Sequence, residues 1–235
     1  MEEPRTFQFK QFKIIHQQSA MKVGTDGVLL GAWVNLNNAK RILDVGTGSG
    51  LIALMAAQKN DRSLIDAIDN ESGAVKEAQL NIAASPWPER INAHHISLQQ
   101  FNPPYLYDHI MSNPPFFKNG SASPLVNRHN ARHTNTLNYG ELLCHSARLL
   151  HANGKLSLIA PSAESDLLKD TALKNGLHII RKATFASREN KKPVRVLLCF
   201  SKDQEIIEEE HIIHYNDDNS WSEQYRELTR NFYIK

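Results

Sequence analysis

Asn113, Pro114, Pro115 and Phe116 stand directly after the apolar run YDHIMS (107–112), and together they suit one kind of chemistry. An amine conjugated to a nucleobase or an amide is a poor nucleophile, because its lone pair is delocalised. To attack an electrophilic carbon it must move toward tetrahedral geometry. The side-chain oxygen of Asn113 can accept one amine hydrogen and the Pro114 carbonyl another. Both bonds strengthen as positive charge grows on nitrogen, so they favour the transition state. Two prolines restrict the backbone that presents this carbonyl and bring no competing N–H. Phe116 offers a face for a planar group. This set needs neither a strong base nor a metal, because the proton can leave after the new bond has formed.

A second run, Ile42-Leu43-Asp44-Val45-Gly46-Thr47-Gly48-Ser49-Gly50, reads as a strand, a glycine turn and the start of a helix. Glycines let a ligand approach the main chain closely. In open parallel sheets ligands bind at the carboxyl ends of the strands, where this turn falls. The spacing is G-x-G-x-G, and Leu51 stands where a dinucleotide fingerprint would place its third glycine. Asp69 closes the next strand and can accept hydrogen bonds from both hydroxyls of a ribose. Asp44 puts a negative charge where NAD would carry its pyrophosphate, a position better suited to a cationic amino-acid group. S-adenosylmethionine combines a ribose, an amino group and a sulfonium with no phosphate, so it is the expected cofactor. The competing account is a tight strand-to-helix turn that binds nothing.

The elements that must position these residues follow from the pattern along the chain. RILDV and LIDAID (64–69) read as strands, and LIALMAAQ (51–58) and GAVKEAQLNIAAS (73–85) as helices. Ala74, Ala78 and Ile82 share one face of the second helix, and Pro86 and Pro88 stop it. A weak strand at INAHHI, a stronger one at YDHIMS, a helix at LNYGELLCHSARLL (137–150) and a strand at GKLSLIAP (154–161) come next. A loop containing Asn153 and Gly154 should separate the last two. Strands alternating with helices imply a parallel α/β sheet. LHIIRKATF and VRVLLCFS are separated only by ASRENKKP, so they should pair antiparallel.

The chain has 235 residues, a length suited to one domain. We expect residues 1–39 to cap cofactor and substrate, 40–201 to form the catalytic core and 202–235 to pack on it. No apolar run reaches the ~20 residues of a membrane span, and the N-terminus has no secretory h-region. The two cysteines, Cys144 and Cys199, offer no disulfide framework or zinc spacing, and both read as core. A cytoplasmic monomer is expected. The net charge of +2 hides an uneven distribution: residues 121–200 carry +7 and residues 201–235 carry −5. The basic block is either a solvated surface or the footprint of a polyanion.

These motifs resemble class I S-adenosylmethionine-dependent methyltransferases with an N-P-P-[FY] motif. Within them the chain resembles the bacterial tRNA1(Val) (adenine-N(6)-)methyltransferase family, which modifies adenine next to the anticodon. The resemblance runs through FKQFKIIHQQSAMKVGTDGVLLGAWV, DVGTGSGLIALMAAQ, NPPFF and WSEQYRELTRNFYIK. It implies a Rossmann-like fold, with a seven-stranded, mostly parallel sheet whose last strand is antiparallel and helices on both faces. It also implies that Asp44, Gly46, Gly48 and Gly50 hold the methionine end of the cofactor and Asp69 its ribose, with Lys22, Thr25 and Asp26 capping it. Asn113 would adjoin the cofactor and, with Pro114, Pro115 and Phe116, hold the target adenine. Many relatives use an Asp for the cofactor's adenine amine; Ser97 matches it here, and its hydroxyl can accept that bond.

With tRNA as the implied partner, Lys118, Arg128, Arg132, Arg188, Lys191, Lys192 and Arg195 become candidate phosphate contacts. The acidic EIIEEEHIIHYNDD stretch is expected on the far side. His129 and His133 are spaced for a shared helix face, but no third ligand accompanies them, and no metal is expected. His94, His95, His211 and His214 receive no role, and Trp33, Trp221 and Tyr225 read as packing residues. Other amines remain as alternatives: a release-factor glutamine, disfavoured by the short segment before the glycine turn, and an rRNA guanine, disfavoured by Phe117 after the motif. An RNA-binding protein without catalysis and a nicotinamide oxidoreductase complete the alternatives.

Overall fold

Ten strands and six α-helices alternate along the described residues, 6–16, 23–115 and 137–234, of the computed structural model. A short hairpin, β1 (Thr6–Gln8) and β2 (Lys13–Ile15), precedes α1 (Thr25–Trp33). The core then runs β3 (Arg41–Val45), α2 (Leu51–Lys59), β4 (Leu64–Asp69), α3 (Ser72–Ala83), β5 (Ile91–His95) and β6 (Tyr107–Ser112). After it come α4 (Tyr139–Leu149), β7 (Leu150–Pro161), α5 (Ser165–Lys174), β8 (His178–Ala186), β9 (Arg195–Ser201), β10 (Glu208–Ile213) and α6 (Glu223–Thr229).

The central sheet has the order β10-β8-β9-β7-β6-β3-β4-β5. β9 is antiparallel to both its neighbours, and every other pairing is parallel. This is the α/β sheet that the sequence pattern implied, with the expected antiparallel β8–β9 pair, and the Rossmann-like fold that the family resemblance implied. It has eight strands rather than seven, because β10 adds a parallel edge strand. β10 comes from the acidic stretch EIIEEEHIIHYNDD. Its backbone pairs with the open edge of β8, and its carboxylates meet the basic side chains there. Arg181 Nε donates to Glu210 Oε1 at 2.6 Å, and Lys182 lies 3.7 Å from Glu209. Opposite charges facing across a strand pair turn a charged run into an acceptable edge.

Two apolar layers cover the sheet. One holds α1, α2, α3, the β1–β2 hairpin and α6, with Phe9, Ile14, Leu54, Tyr225 and Phe232 buried. The other holds α4 and α5, through Leu142, Leu143, Leu168 and Ala172. In α4, residues Tyr139, Leu142, Leu143, Ser146 and Leu149 form the buried stripe of an amphipathic helix. Asn138 and Glu141 close its N-terminus as a reciprocal capping box. Cys199 is buried as expected, but Cys144 is exposed on α4, because it falls off that stripe. The expected loop at Asn153 and Gly154 is absent: β7 starts directly at Leu150 and pairs with β6 through an irregular register. Among the described residues no helix is long and apolar enough to cross a membrane.

Candidate active site

The carboxyl ends of β3, β4, β5 and β6 meet at one edge of the sheet, and a cleft of about 170 Å³ opens there. Its wall includes Gly46, Gly48, Asp69, Ser97, Asn113 and Pro114. Strand register brings the two sequence motifs together. Val45 is paired with Ser112 across β3 and β6, and Ser112 Oγ donates to Val45 O at 2.9 Å. Asn113 therefore follows β6 beside the residue where the glycine turn begins.

The turn itself is held from below and from the side. Gly46 N and Thr47 N both donate to Ile68 O, at 2.9 and 3.1 Å. Gly48 N donates to Asp69 Oδ2 at 2.9 Å, and Glu71 N donates to Asp69 Oδ1 at 3.0 Å. Each Asp69 oxygen thus takes one backbone bond, and a carboxylate oxygen has room for another. Gly48 has φ +55°, and a Cβ there would meet nothing within 4 Å, so this stretch of main chain is bare toward incoming groups.

Asp44 lies beneath the turn, fully buried, and does not reach the cleft wall. Its Oδ2 accepts from Thr47 Oγ1 at 2.7 Å and from Ala53 N at 3.2 Å, while Oδ1 is buried with no partner. Burial pushes its pKa up to about 7; the bonds from Thr47 and Ala53 oppose that rise, and the charge of Asp69 adds to it. The Asn113 side chain has the same deficiency, since its Oδ1 is buried without a hydrogen-bond partner. Two orphaned acceptors close to one cleft are uncommon in a folded protein and need a reason. An amine acceptor in the cleft would answer Asn113, while the open lone pairs of Asp69 suit ribose hydroxyls and the Asp44 carboxyl below the turn suits a cationic amino group, so the residues present fit S-adenosylmethionine and an amine acceptor.

The other expected residues divide between the cleft wall, where Ser97, Pro114 and Pro115 lie, and places away from it. Gly50 does not line the cleft: a Cβ there would lie 3.4 Å from Ala78 Cβ, so this glycine faces α3. Ser97 is on the wall, and its Oγ donates to Gln100 Oε1 at 3.2 Å. Thr25 is exposed at the start of α1, and Asp26 is paired with Arg195 at 2.9 Å. Neither is on the wall of the cleft. Pro114 is buried and Pro115 exposed. Lys22, Phe116, Lys118, Arg128, His129, Arg132 and His133 lie outside the described residues.

The β8–β9 loop stands at the same sheet edge, because β8 runs parallel to β7 and β6. Lys191 and Lys192 are exposed on it. Arg188 is engaged with Asn216 O at 2.6 Å and with Asn219 Oδ1. The end of the acidic stretch, Asn216–Asp218, is therefore at the functional edge beside Arg188 and not on the far side, because β10 is parallel to β8 and carries it there. Sequence reasoning missed Glu71, Ile96, Leu98 and Leu137, which also line the wall. Glu71 lies two residues beyond Asp69, and the apolar pair Ile96 and Leu98 flanking Ser97 was the available signal. Trp33 and Tyr225 are buried as expected, and Trp221 is partly buried.

The Methyltransferase small domain family matches residues 17–180. A predicted O-methyltransferase from Agrobacterium tumefaciens superimposes with a TM-score of 0.69, covering 88% of this chain and 96% of its own at 16% identity. A methyltransferase from Pyrococcus furiosus does so with a TM-score of 0.53, covering 72% and 78% at 21% identity. The sheet order and the glycine turn, with these matches, define a class I methyltransferase domain.

Among curated proteins, the tRNA1(Val) (adenine(37)-N6)-methyltransferase of Pseudoalteromonas translucida is 41% identical over 229 residues, 97% of this chain and 98% of that one. Its counterpart in Tolumonas auensis is 42% identical over 231 residues, 98% and 97% of the two chains. The chain belongs to this tRNA1(Val) (adenine(37)-N6)-methyltransferase family.

Proposed function

We propose that the protein methylates N6 of adenine 37, next to the anticodon of a valine tRNA, with S-adenosylmethionine as donor, in the cytoplasm. The observation that carries the reading is the orphaned, buried Oδ1 of Asn113, placed by the Ser112–Val45 bond beside the glycine turn and Asp69. The donor, when bound, supplies an electrophilic methyl on a sulfonium. Asp69 would accept the ribose hydroxyls with the lone pairs its two backbone bonds leave over. Gly46 and Gly48 would present bare main chain to the donor's amino-acid end. Asp44, below them, would supply negative potential for the donor's ammonium group once its carboxyl, raised to about 7 by burial, gives up its proton.

Asn113 Oδ1 would accept one hydrogen of the target amine and the Pro114 carbonyl the other. Both hold nitrogen in attacking geometry and gain strength as it becomes cationic. Phe116, the last residue of the motif, would stack the adenine, which must leave the loop's stack to reach the cleft. Lys191 and Lys192 would meet tRNA phosphates. Two rival acceptors, a release-factor glutamine and an rRNA guanine, fit the same amine chemistry, and the family favours tRNA adenine.

The test is incubation with labelled S-adenosylmethionine and total tRNA from a strain lacking the enzyme, followed by mass spectrometry of the nucleosides. N6-methyladenosine at position 37 of the valine tRNA supports the reading; label elsewhere, or none, refutes it. Asn113→Ala should lower kcat by about 10²–10³-fold, the usual cost of removing one preorganised hydrogen-bonding partner, with cofactor affinity largely spared. Asp69→Ala should act chiefly on that affinity.

A further inference from the structure

Asp26 and Arg195, which the sequence assigned to different ligands, are bound to each other. Arg195 Nε donates to Asp26 Oδ2 at 2.9 Å, and the two side chains are 28% and 22% exposed. Arg195 Nη1 also donates to Val194 O at 3.0 Å, within its own strand entry. Asp26 stands in the first turn of α1. Arg195 opens β9, opposite Pro161 of β7 and Phe185 of β8. The pair therefore fastens the N-terminus of α1 to the sheet edge at which the cleft opens. A carboxylate in a first helical turn is also favoured by the helix dipole, so Asp26 suits the place.

What α1 does at that point gives the pair its consequence. Gly27 is buried, and a Cβ there would lie 3.0 Å from Leu51 Cδ2 and 4.0 Å from Asn113 Nδ2. The first turn of α1 therefore runs close to the start of α2 and beside the amide of Asn113, and even a methyl at Gly27 would press on Leu51. The oxygen of that amide has no hydrogen-bond partner, so no bond of its own fixes its direction, and the place of α1 beside it bears on the room it has to turn.

We infer that Asp26 and Arg195 form a positioning pair: their bond holds α1 against Asn113, and neither residue contacts donor or acceptor. The inference rests on the catalytic role proposed for Asn113. A displacement of about 1 Å at a reacting group can cost about a hundredfold in rate. Separating the pair therefore acts on kcat and spares both binding constants.

A double-mutant cycle tests it, with Asp26→Asn, Arg195→Gln, the two combined, the exchange Asp26→Arg with Arg195→Asp, and Arg195→Lys. For each, kcat, KM for S-adenosylmethionine, KM for tRNA and Tm are measured. Each single variant should lower kcat by about ten- to a hundredfold with both KM values nearly unchanged. The combined variant should be no worse than the poorer single one, and the exchanged pair and Arg195→Lys should recover part of the loss. If Asp26→Asn raises only the cofactor KM, Arg195→Gln only the tRNA KM, and the effects multiply, the residues contact separate ligands and the inference fails. A fall in Tm with kcat intact in the folded fraction also overturns it, leaving the pair a structural tie. A wild-type protein inactive on tRNA refutes the proposed function and the inference with it; an active one with multiplicative variants refutes the inference alone.

Discussion

Replacing Gly48 by alanine separates two reasons for a glycine in that turn, because the molecule contains its own control. Gly48 has φ +55° and Gly176, just beyond α5, has φ +68°. A Cβ on either meets nothing within 4 Å. The backbone cost of alanine is thus alike at both: about 1–2 kcal/mol for the left-handed conformation, offset by about 0.4–1 kcal/mol from a stiffer unfolded chain. A net loss near 1 kcal/mol lowers Tm by about 2–4 °C in a protein of roughly this size. Only at Gly48 does the added methyl stand in the cleft beside Asp69. A methyl forced into a packed contact costs about 1–3 kcal/mol, which at about 1.4 kcal/mol per factor of ten is roughly 5- to 140-fold in affinity. Calorimetric titration with S-adenosylmethionine, beside thermal melts of both variants, reads the two effects apart. Equal drops in Tm with weakened binding only in Gly48→Ala are expected. Unchanged binding in Gly48→Ala, or equal weakening in Gly176→Ala, would refute close approach of the donor to this main chain.

Asp44 makes stability depend on pH. Burial raises its carboxyl from 3.8 to about 7, so the folded protein keeps a proton that the unfolded chain releases. Its contribution is present in full below about pH 4 and is lost as pH rises through about 7, with an upper bound on the order of 4 kcal/mol. Denaturant titrations at pH 5 and pH 8 should show this slope, and Asp44→Asn should flatten it. If the donor's ammonium engages Asp44, binding at pH 6 should release a proton, read as a buffer-dependent binding enthalpy. The double variant Lys191→Ala with Lys192→Ala should weaken tRNA binding and reduce the magnitude of the log-log salt slope by about 1–2, at about 0.7–0.9 per lost phosphate contact. An unchanged slope removes these lysines from the RNA surface.

The local motifs were legible because each is a short run whose chemistry depends on neighbours in sequence. Apolar strands ending in Asp44 and Asp69, glycines at the turn, and Asn113 at the end of YDHIMS occupy the places that their spacing implied. The antiparallel β8–β9 pair followed from a connection too short for a crossover helix. β10 was hidden because a run of glutamates reads as solvated until the basic edge of β8 is set against it. Cys144 was misjudged because apolar neighbours in sequence do not share its side of α4. Gly50 looked like its two companions, yet a helix rather than a ligand stands against it.

By itself, then, the sequence determined the class of sheet, the strand ends that carry acids and the amine-directed motif, since periodicity and covalent neighbours decide these. Tertiary structure alone decided which groups are left unsatisfied and which are tied to each other. The open valence of Asn113 Oδ1 depends on what packs around it, and the Asp26–Arg195 bond joins residues 169 positions apart. No local pattern encodes a contact between such distant points. It exists because the sheet order brings the start of β9 to the edge where α1 begins.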